Sequence, residues 1–280
     1  MRARPGEDDA RPGKGPENDP RTASRASLEV LVGSADPQIL LSVLDNPALD
    51  EPLLCRLMDR IDAPQELLKR VAGRSEWIRA YPVKLRLARH PHAPRLIALA
   101  CVRQLFLFDL AKISLLPSAI AEVRRVAEEL VLNRLAQLPV GQKITLAKQG
   151  PPRVAAALLA EGLPSTLPHV LENAHLNEAQ ITRVLARQDL SARVVNAIAR
   201  HPKWSNSPHV RIALLRHPLT PLARIMAFLP DIPLADLRDI MELTTVRADL
   251  RTYLAHEVAR RGAAGTKRKA PPEDSVQREE

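Results

Sequence analysis

The chain has 280 residues, 45% of them hydrophobic and only 2% aromatic, and a net charge of +9, the composition of a globular protein with a large core rather than of a disordered chain. Its ten glycines form no phosphate-cradling cluster, which excludes a Rossmann or P-loop nucleotide site. No apolar run approaches the roughly 18 residues needed to span a bilayer, so no membrane partner is expected.

Residues 1–26 are rich in Arg, Asp, Glu, Gly and Pro and have little to bury, so they are expected to form a disordered N-terminal tail. The first nine residues are basic and then acidic, with no apolar stretch of the kind a secretory signal needs, and a cytoplasmic location is the expectation. From 27 to 261 the sequence reads as one helical-repeat domain, and this body carries +8 of the net charge. Cys55 and Cys101 each sit singly in apolar stretches, with no metal-ligand or disulfide spacing, and are read as reduced core thiols. Prolines at 37, 64, 82, 94, 208, 221 and 233 are read as helix openers, because the first helical position needs no N–H and suits the φ of proline. The longest helix is predicted between Pro117 and Pro139, with Ser118 as its N-cap and Ile120, Val123, Ala127, Leu130 and Val131 as its apolar stripe. Asn177 with Gln180 three residues later predicts another helix start. Residues 262–280 form a second expected tail; its Lys267-Arg268-Lys269 run is shorter than the basic clusters that bind nucleic acid. No period-two alternation or hairpin turn stands out, so the fold class is all-α.

The most informative feature is a recurring phrase. Leu87-Ala88-Arg89-His90-Pro91 returns as Leu214-Leu215-Arg216-His217-Pro218, and Ile198-Ala199-Arg200-His201-Pro202 is a partial third copy. Weaker copies surround Asp45-Asn46-Pro47 and Glu161-Gly162. Arg and His suit the negative end of a helix, Pro prevents its continuation, and each phrase therefore reads as a corner at which His caps local carbonyls. Repeated corners between short amphipathic helices predict an irregular α-solenoid. The stretch Pro208–Pro221 resembles the helix-and-turn unit of leucine-rich repeat variant and HEAT-like repeats, best over about 191–230 and 81–100. That resemblance implies a curved right-handed stack of helices and a scaffolding or binding role. The marker histidines, His90, His201 and His217, are unevenly spaced and depart from the regular period of such repeats.

His90, His201 and His217 are read as structural rather than as metal ligands. No nucleophile with a base, no Gly-x-Ser-x-Gly elbow and no HExxH motif is found, and no cofactor is expected. If the corners stack, Arg89, Arg193, Arg200, Arg211 and Arg216 could line one edge and grip carboxylate or phosphate groups. The leading expectation is a non-enzymatic scaffold or adaptor that binds another protein or an acidic peptide through a mildly basic surface. The alternative is binding to the backbone of duplex nucleic acid, with DNA-base repair a minor branch resting on fold analogy with HEAT-like glycosylases. A stacking groove for single strands is disfavoured, because the chain has only seven aromatic residues.

Overall fold

A computed structural model describes residues 19–242 and 248–267, and every described element is helical, with no strand. The first half holds α1 (Arg25–Leu31), α2 (Pro37–Val43), α3 (Glu51–Met58), α4 (Gln65–Gly73), α5 (Ser75–Arg79), α6 (Tyr81–Arg89), α7 (Arg95–Val102), α8 (Leu107–Leu115) and α9 (Ala121–Arg134). After a 3-10 turn at Leu135–Gln137 come α10 (Val140–Gln149), α11 (Pro152–Glu161), α12 (Leu167–Leu171), α13 (Glu178–Leu185), α14 (Ala192–Arg200), α15 (Pro208–Arg216), α16 (Leu222–Phe228), α17 (Leu234–Glu242) and α18 (Ala248–Lys267).

The helix starts follow local chemistry. Asp36, Asp50, Asn177 and Ser207 each accept a backbone N–H from the first turn, which occupies a donor that the helix leaves orphaned. Pro37 and Pro208 are the first helical residues, as expected, whereas Pro64, Pro94 and Pro221 stand one position earlier, as N-caps. Ser118 lies outside α9, whose N-cap is Ile120. The longest described helix is α18 at 20 residues rather than α9 at 14, because its helical backbone runs on past Arg261. Helical backbone therefore reaches Lys267, and Arg268, Lys269 and the rest of that expected tail lie outside the described residues. At the other end α1 begins at Arg25, within the stretch assigned to a tail, and Asn46 binds the carbonyls of Pro20 and Ala23; residues 1–18 lie outside the described residues.

The chain divides into two compact units, with the boundary between Ala136 and Gln137. The second unit repeats the first at a constant offset, the one that carries His90 onto His217. By that same offset the starts of α1, α3, α4, α6, α7, α8 and α9 fall on those of α11, α13, α14, α15, α16, α17 and α18. Without a gap, 28 of the 98 positions from 37 to 134 carry the same amino acid as their counterparts, too many and too well aligned with the helices for coincidence. Core positions recur with them: Val83 and Leu87 of α6 are buried as Val210 and Leu214 of α15 are, and Leu110 and Ile113 of α8 as Leu237 and Ile240 of α17 are. The packing matches too, with α3 on α6 and α2 on α4 in one unit, α13 on α15 and α12 on α14 in the other.

Several polar pins repeat as well. Asn46 donates to the Pro20 and Ala23 carbonyls and accepts from the Ala48 N–H; Asn173 donates to the carbonyls of Ala147 and Gly150 and accepts from His175. Each partner is displaced by the offset that relates the two asparagines. Arg60 clasps Asp62 through two hydrogen bonds, as Arg187 clasps Asp189. Arg134 donates to the Leu105 carbonyl, as Arg261 does to that of Ile232. Trp77 and Trp204 correspond but are satisfied differently. Trp204 donates to the Leu171 carbonyl, whereas in the first unit Arg74 takes the equivalent Leu44 carbonyl and the buried indole N–H of Trp77 has no partner among the described residues. Arg74 also pairs with Asp45, and at the matching positions His201 meets Glu172 at 2.9 Å.

The histidine corners work over a longer reach than local capping. His90 Nε2 lies 2.8 Å from the carbonyl of Arg60, far back in the chain, while Nδ1 accepts the His92 N–H at 3.1 Å. This is the role of Asn46 played by an imidazole, and it requires the neutral ring with its proton on Nε2. His217 accepts from Leu219 in the same way; its Nε2 is turned toward the Arg187 carbonyl, short of hydrogen-bond geometry. Burial depresses both histidines below the ordinary value of 6.5, against a smaller opposing pull from the facing carbonyl. The unfolded chain therefore binds protons that the folded chain refuses, and stability present above pH 6.5 is lost as the pH falls below it. Because asparagine fills the same role elsewhere, His90→Asn is expected to keep the corner but flatten this acid dependence. Urea midpoints measured between about pH 5 and 7.5 check it, and a slope as steep as in the parent chain contradicts it.

Candidate functional site

The second unit carries an open groove of about 1280 Å³ between α13 and α15. Ala179, Leu185, Ala186, Ile212 and Ala213 supply apolar lining, with Thr182 among them. At the end where both helices start, Glu178 meets His209 at 3.3 Å. At the other end stand Arg187, held by Asp189, and Arg216, which is exposed and has no carboxylate partner among the described residues. The Arg187 guanidinium holds Asp189 below the usual carboxylate range, chiefly through the hydrogen bonds between them.

The corresponding place in the first unit is occupied. There α3 and α6 face each other, and Arg86 lies between them, donating to the Cys55 carbonyl at 3.1 Å, to the Pro82 carbonyl at 3.3 Å and to Asp59 at 3.0 Å. Arg89 closes on the same Asp59 carboxylate. At the matching positions the second unit has Ala213 for Arg86 and Ala186 for Asp59, while Arg216 keeps the place of Arg89. Removal of a guanidinium and of the carboxylate that held it empties the space between the helices and leaves the remaining arginine without its anion.

The five sequence-predicted arginines fare differently. Arg89 belongs to the first unit and is committed to Asp59. Arg211 is a structural brace: it donates to the Ser205 carbonyl, to Asn206 and to Asp231, and its guanidinium lies 5.6 Å from the Phe228 ring centre. Arg193 and Arg200 are exposed on α14 without an ion-pair partner among the described residues, where the first unit has Glu66 and Gly73. Arg216 alone of the five lines the groove. The residues that shape the groove, Ala186 and Ala213, carry no chemical signature of their own. Only their comparison with Asp59 and Arg86, their counterparts in the first unit, marks them.

Both cysteines are free and buried, and burial raises the thiol of Cys55 and pushes that of Cys101 up to about 11. Neither is an activated nucleophile. Among the described residues no three His, Cys, Asp or Glu side chains converge as metal ligands, and no helix is long and apolar enough to cross a membrane. The chain matches no protein-family model, no curated protein and no solved structure.

Proposed function

We propose that the chain is a non-enzymatic helical-repeat scaffold or adaptor that binds another protein, its short helices stacked as an irregular α-solenoid of the HEAT-like or leucine-rich repeat variant kind. The observation that carries the reading is the open, largely apolar groove of the second unit, at a place where the first unit is filled by its own side chains. Within each unit a helix packs on its neighbour and on helices further along, as α6 does on α7 and α8, which is how a stack of helices buries its faces. Two buried, unpaired cysteines suit a reducing, cytoplasmic setting.

The test is crosslinking of the full chain in its own cells with a photoreactive amino acid placed at Ala179, and separately at the matching Pro52 of the first unit. The expected result is one protein captured through position 179 and not through position 52. Equal capture at both, or nucleic acid alone at position 179, contradicts the reading. A second reading, contact with duplex nucleic acid, draws on Arg193 and Arg200, which bring positive charge where the first unit has a glutamate and a glycine. It requires a mobility shift that weakens steeply as salt rises. A shift insensitive to salt rejects it.

A further inference from the structure

The groove has a defined length, a defined polarity and a missing charge. Resting on the scaffold reading above, we propose that it receives an acidic amphipathic helix of a partner polypeptide, whose Asp or Glu carboxylate binds Arg216 as Asp59 binds Arg89 in the first unit. At about 1280 Å³ the groove exceeds the roughly 300–1,000 Å³ typical of small-molecule pockets, and it lies open along two helices that start at the same end. Helices of eight and nine residues give a trough of about 12 Å, two turns of a docked helix. An apolar stripe at i, i+3 or i+4 and i+7 suits the lining of Leu185, Ile212 and the three alanines.

Charge sets the direction of the docked helix. Arg216, without an ion-pair partner among the described residues, stands at one end and Glu178 at the other, so a partner with its carboxylate toward Arg216 is favoured and the reverse places like charges together. The first unit supplies the template: Arg89 and Arg86 share the carboxylate of Asp59, and with Ala186 and Ala213 in place of Asp59 and Arg86 the second unit keeps only Arg216, which an acid brought from outside would meet as Asp59 meets Arg89. Arg187 does not compete for it, being held by Asp189.

The experiment selects from displayed random peptides, each long enough for three or four helical turns, against the full chain, then measures the selected peptides in solution. Enriched sequences are expected to join Asp or Glu to two or three apolar residues at helical spacing. Binding should weaken about tenfold or more in Arg216→Gln, and no further when the peptide acid is also changed to its amide, since both changes remove one charge-assisted contact. The pair Ala186→Asp with Ala213→Arg, which rebuilds the cluster of the first unit, should abolish binding while the helical circular dichroism is unchanged. Arg216→Gln, at an exposed side chain, provides the reading if that pair fails to fold. Enrichment without an acidic residue, or affinity unmoved by Arg216→Gln and by the rebuilt cluster, overturns the proposal. In the latter case the peptides dock elsewhere and the scaffold reading survives. If no peptide is selected and the chain instead shifts duplex DNA in a salt-dependent way, both fall.

Discussion

Asn173→Ala should cost about 3 kcal/mol of folding stability, among the larger losses available to a polar substitution in this chain. Asn173 is 1% exposed and binds three backbone groups: it donates to the carbonyls of Ala147 and Gly150, at 2.9 and 3.2 Å, and accepts the His175 N–H at 2.7 Å. Truncation leaves all three without a partner, and each orphaned buried group costs about 1–3 kcal/mol unless the backbone relaxes. Asn173→Asp discriminates this account from simple loss of packing. The carboxylate keeps the acceptor for His175 but puts an oxygen in place of the one nitrogen, Nδ2, that donates both bonds, and that oxygen faces two carbonyl oxygens, so it should be no better than alanine. Urea unfolding of the two variants measures the effect. A loss below about 0.5 kcal/mol in both would mean that the pin carries no weight.

Gly162→Ala should cost a comparable amount for a different reason. Gly162 closes α11 with φ +71°, the one described residue in the left-handed region, where an L side chain is strained by about 1–2 kcal/mol. A methyl group there would also meet Val194 Cγ2 at 2.8 Å and Ser191 Oγ at 3.2 Å, adding an overpacking cost of about 1 kcal/mol or more. The matching residue of the first unit is Ala35, so the two copies leave this helix by different routes. Thermal unfolding of Gly162→Ala and of the converse Ala35→Gly should show a large drop only for the first, and equal drops would contradict the role assigned to the positive φ.

The corners were legible in the sequence because their chemistry is local. Proline after Asp or Ser opens a helix, Asn177 caps its own first turn, and Arg-His-Pro ends α6 and α15. The long period of the duplication was present in the same text, in the spacing of His90 and His217. It was obscured by His201, whose Arg-His-Pro phrase is identical in letters but which takes the place of Arg74 and pairs with Glu172. It was obscured further because the same pin is asparagine at 46 and 173 and histidine at 90 and 217, residues that share a donor and an acceptor rather than a name. The groove was not legible at all. It is made by what Ala186 and Ala213 lack, and an absent side chain has a meaning only beside the copy that retains it.

The equivalence of the two units, and the claim that two alanines hold the groove open, meet most directly in a crystal structure of the full chain carrying Ala186→Asp and Ala213→Arg. The expected result is a guanidinium at position 213 donating to the Thr182 carbonyl and to the carboxylate at position 186, with Arg216 closing on that carboxylate and the groove filled as it is around Arg86. A guanidinium at 213 directed into solvent, with Arg216 still unpaired and the groove open beneath it, would contradict the claim.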